Sequence, residues 1–170
     1  MEISVIKLLK DYDEKSLNCI EEELKIWQED VQFVIEKLYE INKSQTSDFF
    51  ERLNLERMGI FGHSLGGALA AHICLTDKRI KAGISIDGSM LQQTADGDFK
   101  TPFMFIVGVL LTKGAYPRKK ILNKIKMSKA EWDKAIKQYK DRIEKVCEKL
   151  GLNGFKYIIE GAGHFSFTDI

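Results

Sequence analysis

The densest chemistry in this chain is the run Gly62-His63-Ser64-Leu65-Gly66. It lies between a short apolar segment, Met58 to Phe61, and a run of small and apolar residues, Ala68 to Leu75. Gly-x-Ser-x-Gly in that setting predicts a strand, a sharp turn and a helix, with the serine pushed out above the sheet. The N-terminal end of the helix favours negative charge, and the Leu65 amide points to where an oxyanion would form. Glycine at both flanks is expected to keep side chains from colliding with the turn. Ser64 is therefore the candidate nucleophile.

A serine needs a base, and the chain has three histidines, His63, His72 and His164. A sharp turn sends neighbouring side chains apart, so His63 is expected to pack rather than react. His72 lies two helical turns beyond Ser64 and is expected to be buried. His164 ends Gly161-Ala-Gly-His, a loop after the last apolar run, and is the candidate base. The base in turn needs an acid to fix its tautomer and stabilise the imidazolium. Asp87 closes the run Ala82-Gly-Ile-Ser-Ile-Asp and is the candidate. Asp96 and Asp98, further along the same loop, are weaker ones. No pair of histidines has metal-ligand spacing, so neither a metal nor an organic cofactor is expected.

These groups need a scaffold, and the periodicity supplies one. Ile20, Leu24, Trp27, Val31, Val34, Leu38 and Ile41 recur at steps of four and three, which predicts a long amphipathic helix. A short helical turn is expected at 47–53, capped by Ser47. Four apolar runs, near 58–61, 82–87, 102–107 and 155–159, read as buried strands. Ser128 and Glu131 form a capping box for a second long helix. Its buried stripe is Trp132, Ile136, Tyr139, Ile143, Val146 and Leu150, and Gly151 stops it. Helices alternating with strands predict an α/β domain built on a mostly parallel sheet of about four strands flanked by helices.

The 170 residues amount to one domain, residues 1–170. With 44% hydrophobic and 30% charged residues the chain can build one core and solvate it. A net charge of +1 argues against nucleic-acid binding. Cys19, Cys74 and Cys147 fit no zinc or redox spacing and are expected to be reduced, buried thiols. With neither a signal peptide nor a membrane-length apolar run, a cytoplasmic location is expected.

The segments Leu55-Glu-Arg-Met-Gly-Ile-Phe-Gly-His-Ser-Leu-Gly-Gly67, Gly83-Ile-Ser-Ile-Asp-Gly88 and Gly163-His-Phe-Ser-Phe-Thr-Asp169 together resemble the platelet-activating-factor acetylhydrolase, isoform II, family. Ile26-Trp-Gln-Glu-Asp-Val-Gln-Phe-Val34 is also similar to the helix before the turn in bacterial relatives. The resemblance covers most of 20–110 and 155–170. It implies an α/β-hydrolase fold, in which the chain order Ser64, Asp87, His164 is that of nucleophile, acid and base. It further implies a serine carboxylic-ester hydrolase acting on short-acyl phospholipids or small esters. Relative to that family only 57 residues precede the serine strand, so the chain reads as the C-terminal half of the fold, truncated at both ends.

Two alternatives stand beside the enzyme: a weak or inactive fragment of such a hydrolase, and a lipid- or protein-binding module. The last rests on residues 99–130, with eight basic residues and no acid. Residues 109–151 read as a basic helical insertion. Within it, 117–126 sets Ile121, Leu122 and Ile125 among lysines, as a lid touching an anionic membrane would. With the preceding strands missing, strand 58–61 is expected to be an open edge inviting self-association.

Overall fold

The computed structural model describes residues 14–108 and 128–168, with side chains from residue 23 onward. Helix α1 (Glu14–Lys43) leads through a series of turns to strand β1 (Met58–His63). There follow α2 (Leu65–Thr76), β2 (Ile80–Ile86), the short α3 (Gln92–Asp96), β3 (Phe103–Gly108), α4 (Lys129–Leu150) and β4 (Gly154–Ile159). A 3₁₀ turn, His164–Phe167, closes the described chain. The four strands form one sheet in the order β1-β2-β3-β4, every pair parallel.

One core joins Ile35 of α1, Ile73 and Cys74 of α2, Phe103, Phe105 and Val107 of β3, and Tyr139, Ile143, Val146 and Leu150 of α4. The strands advance one place at a time, so crossovers of one hand carry their helices to one face of the sheet. The other face is different. Phe61, Ile84, Met104 and Phe155 lie side by side in register across it. Phe61 is 74% exposed, and Phe155, Tyr157 and Ile159 are exposed as well.

From Leu24 onward the α1 stripe lies inward as expected except at one position, where Ile35 takes the place of Val34. Leu24 and Ile35 are buried, Val31 and Tyr39 pack on the core, and Val34 is exposed. The apolar arc of α1 is wider than the strip its neighbours cover, so periodicity alone could not say which of Val34 and Ile35 turns inward. Residues 47–53 form consecutive turns rather than a helical turn. Ser47 Oγ accepts the Phe49 N–H at 3.1 Å. The Asn42 side chain reaches across to both the N–H and the C=O of Leu53, tying the chain back onto the end of α1.

Helix α4 starts as its sequence predicts. The Ser128 hydroxyl accepts the Glu131 N–H and the Glu131 carboxylate accepts the Ser128 N–H. Gly151 ends it at φ 54°. It is the crossover from β3 to β4 and part of the core. The basic segment 117–126 lies outside the described residues. Among the described residues no helix is long and apolar enough to cross a membrane.

Candidate functional site

Ser64 and Asp87 each sit one step beyond a strand and are held there by their main chain. Ser64 follows β1, and its N–H donates to the Ile86 carbonyl of β2 at 3.0 Å. Asp87 follows β2, and its N–H donates to Ile106 of β3 at 2.7 Å. The Gly108 N–H, at the end of β3, donates to Asp87 Oδ1 at 2.8 Å. The parallel ladder thus continues one residue past β1 and β2 and fixes where the Ser64 and Asp87 side chains begin.

Two of these residues are in the left-handed region, Ser64 at φ 57° and Asp87 at φ 45°. Non-glycine residues rarely adopt it, and such strain concentrates at functional sites. At Ser64 it turns the chain from β1 directly into α2. Leu65 is the first residue of α2, so its N–H has no acceptor within the helix and stays available beside Ser64.

The close approach of the two turns depends on glycines. A Cβ on Gly62 would stand 2.2 Å from the Gly66 main chain. One on Gly88 would stand 2.6 Å from the Ser64 carbonyl, and one on Gly67 2.5 Å from Ser85 Oγ. A Cβ on Gly66 meets nothing within 4 Å. The steric requirement expected at both motif glycines therefore holds at Gly62 and not at Gly66. Gly67 and Gly88 carry it instead, because β2 and its following turn press on the start of α2.

His164 arrives from the far side of the sheet, on the loop after β4. The Ala162 carbonyl of that loop sits where a Cβ on Gly108 would be, 2.6 Å away. His164 Nδ1 is 2.7 Å from Asp87 Oδ2, and Nε2 is 3.1 Å from Ser64 Oγ. The side chains of His164 and Asp87 are 11% and 2% exposed. A carboxylate only accepts, so Nδ1 carries the proton and Nε2 presents its lone pair to the serine hydroxyl. That arrangement can draw a proton from Ser64 and hold the resulting imidazolium against a buried carboxylate.

The remaining candidates are elsewhere. Asp96 pairs with Lys145 and accepts from Gln92, which together hold its carboxyl below the usual range. Asp98 pairs with Lys100 at the surface. His72 is half-buried between α1 and α3, bonded to Gln28 at 3.1 Å, and burial lowers its pKa. Burial pushes the Cys74 thiol up to about 12 and also raises Cys147, so neither is a ready nucleophile. Both are free thiols; Cys19 falls among residues whose side chains are outside the description. Among the described residues no cluster of His, Cys, Asp or Glu could hold a metal ion.

His63 packs, as expected, and what it packs on is the loop of His164. Its Nε2 is 2.9 Å from the main-chain carbonyl of His164, and the two rings are 4.5 Å apart. Spacing gave no sign of this contact, which joins residues 101 apart in the chain.

Three solved structures similar to this chain are two siderophore hydrolases and a ferulic acid esterase. EstA, a siderophore hydrolase from Aspergillus nidulans, superposes with a TM-score of 0.51 at 16% identity, over 79% of this chain and 50% of that one. A ferulic acid esterase from Streptomyces cinnamoneus gives 0.49 at 19% identity, over 86% of this chain and 34% of that one. EstB, a second siderophore hydrolase from Aspergillus nidulans, gives 0.44 at 15% identity, over 70% and 46%. The chain thus spans half or less of the length of each of these structures. No curated protein matches it in sequence. The model of platelet-activating factor acetylhydrolase, isoform II, matches residues 4–170. With nearly the whole chain matched, and with the fold that EstA shares, this chain belongs to the platelet-activating factor acetylhydrolase isoform II family of α/β-hydrolases.

Proposed function

We propose that the chain is a serine ester hydrolase in which Ser64, His164 and Asp87 form the catalytic triad. The observation carrying this reading is the continuous path from Ser64 Oγ through the His164 ring to Asp87, at 3.1 and 2.7 Å. His164 Nε2 takes the Ser64 proton as Oγ attacks the ester carbonyl carbon. The Leu65 N–H holds the oxyanion of the tetrahedral intermediate. The intermediate collapses, the C–O bond to the alcohol breaks, and His164 returns the proton to the departing oxygen. Water, deprotonated by the same nitrogen, attacks the acyl-enzyme, releasing the acid and restoring Ser64. Asp87 keeps the proton on Nδ1 and stabilises the imidazolium. The route uses no metal or organic cofactor.

Family membership favours phospholipids with a short or oxidised acyl chain, or small carboxylic esters, as substrates. A panel of esters of rising acyl length, presented free and as phospholipids, tests this. Turnover of the shortest acyl groups, abolished by Ser64→Ala, is expected. Turnover of long-chain substrates alone contradicts the substrate assignment.

A second reading has an observation of its own. The sheet holds four strands among the described residues, and the chain spans half the length of EstA. A chain lacking a substrate wall and a second oxyanion donor would turn over slowly, since one donor is worth about 10²–10³ in rate. Modification of Ser64 without measurable turnover of any ester favours that reading.

A further inference from the structure

We propose that His63 is a positioning residue that ties the loop of the base directly to the strand of the nucleophile; this rests on the hydrolase reading above. Three observations meet at this residue. His63 is the last residue of β1 and the neighbour of Ser64 in the chain. Its Nε2 lies 2.9 Å from the His164 main-chain carbonyl. Its ring lies 4.5 Å from the His164 ring, tilted by 36°.

A carbonyl oxygen only accepts, so His63 Nε2–H is the donor. The other hydrogen bonds of this loop are local: Ala162 to Ile159, Gly163 and Ser166 to each other, and Thr168 to Phe165. Among the described residues, the hydrogen bonds that leave 160–168 for an element other than the adjoining β4 all belong to His164. Its ring reaches Asp87 and Ser64, and its main chain reaches His63. Among the described residues, the bond from His63 is thus the one main-chain hydrogen bond tying the loop to an element other than β4, from which it grows.

That anchor acts in both half-reactions, because Nε2 must lie over Oγ for attack and over water for deacylation. Acylation of Ser64 removes the hydroxyl hydrogen and with it the hydrogen bond from Oγ to His164. Asp87 still holds the ring from the β2 side. His63 still holds the main chain from the β1 side, so Nε2 stays over the ester carbon while it activates water. Loss of the anchor leaves the ring tethered at one point and lets Nε2 wander from the reacting atoms. Small displacements of this kind cost roughly a hundredfold in rate. The His63 side chain bonds to the loop of the base and not to Ser64, so the loss belongs in kcat rather than KM.

Two substitutions separate the hydrogen bond from the ring. His63→Phe keeps an aromatic ring and removes the donor. His63→Gln removes the ring and places an amide N–H close to where Nε2–H was. Three measurements are made on wild type and both variants: kcat and KM for a short-acyl ester, the rate of Ser64 labelling by a fluorophosphonate, and hydrogen exchange of residues 162–168. His63→Phe is expected to lower kcat and the labelling rate at least tenfold, to leave KM within about threefold, and to speed exchange in 162–168. His63→Gln is expected to stay within about threefold of wild type throughout. The proposal is overturned if His63→Phe matches wild type in exchange and labelling, or if His63→Gln is as impaired as His63→Phe. Wild-type Ser64 that resists labelling overturns the hydrolase reading instead, and the exchange comparison then still decides whether His63 anchors the loop.

Discussion

Asp87 Oδ2 lies 2.7 Å from His164 Nδ1, joining residues 77 apart in the chain. The second oxygen of the same carboxylate accepts the Gly108 N–H at 2.8 Å. Both oxygens therefore face donors, and one of those donors is a main-chain group that cannot change. An asparagine here has only one acceptor. With its oxygen on Gly108, its amide faces His164 Nδ1 and selects the tautomer that leaves Nε2 protonated toward Ser64.

Asp87→Asn is accordingly expected to lower turnover by about 10³–10⁴-fold with the fold intact. Asp96→Asn and Asp98→Asn, whose partners are surface lysines, are expected to stay within about twofold. Steady-state kinetics with circular dichroism on the three variants checks this, and an equal loss from Asp98→Asn would sink the assignment.

The glycines of the turn divide by what surrounds them. Gly62→Ala and Gly88→Ala force a methyl to within 2.2 and 2.5 Å of neighbouring atoms. Each is expected to cost at least about 1–3 kcal/mol, as overpacking does. Gly66→Ala meets open space inside a helix, where alanine is the better helix former, and is expected to be neutral or slightly stabilising. Denaturant midpoints compare the three; a Gly66→Ala variant as unstable as Gly62→Ala contradicts the packing described here.

Stability is expected to fall in two steps on acidification. Burial lowers the His72 pKa, so the unfolded chain binds the proton more readily than the folded one. Stability is full above the ordinary histidine value of about 6.5 and is lost as pH falls below it. The hydrogen bond from Arg79 chiefly lowers Asp77, whose contribution is full above the ordinary aspartate value and is lost as pH falls through the depressed folded one. Chemical denaturation from pH 8 to 3 reads the first window and the onset of the second. His72→Gln is expected to flatten the first and leave the second.

Strand β1 pairs with β2 alone among the described residues, and Phe61 on it is 74% exposed. An apolar edge of this kind pairs readily with another chain. Concentration-dependent self-association is expected on size-exclusion chromatography, reduced by Phe61→Lys. A stable monomer whose amides from Met58 to His63 are all strongly protected contradicts this.

The strands and the serine turn were legible because each is encoded locally. Apolar runs bounded by turn residues mark β1 to β4, and Gly62-x-Ser64-x-Gly66 marks the turn between β1 and α2. Asp87 and His164 were legible because both follow such runs. What escaped depends on packing between distant segments. Nothing in the spacing of Gly66, Gly67 and Gly88 says which will be pressed by β2. Periodicity in α1 shows the inward stripe but not that Ile35, rather than Val34, turns into the core. The contact from His63 to His164 exists only once β1 and the loop after β4 lie at the same end of the sheet, which no local pattern records.

The central claim is that Ser64 is an activated nucleophile. Labelling the folded chain with a fluorophosphonate, followed by peptide mass analysis, tests it most directly. One adduct is expected, on Ser64, lost in Ser64→Ala and strongly slowed in His164→Ala and Asp87→Asn. Folded protein that takes up no label at Ser64, or labels equally well without His164, contradicts it.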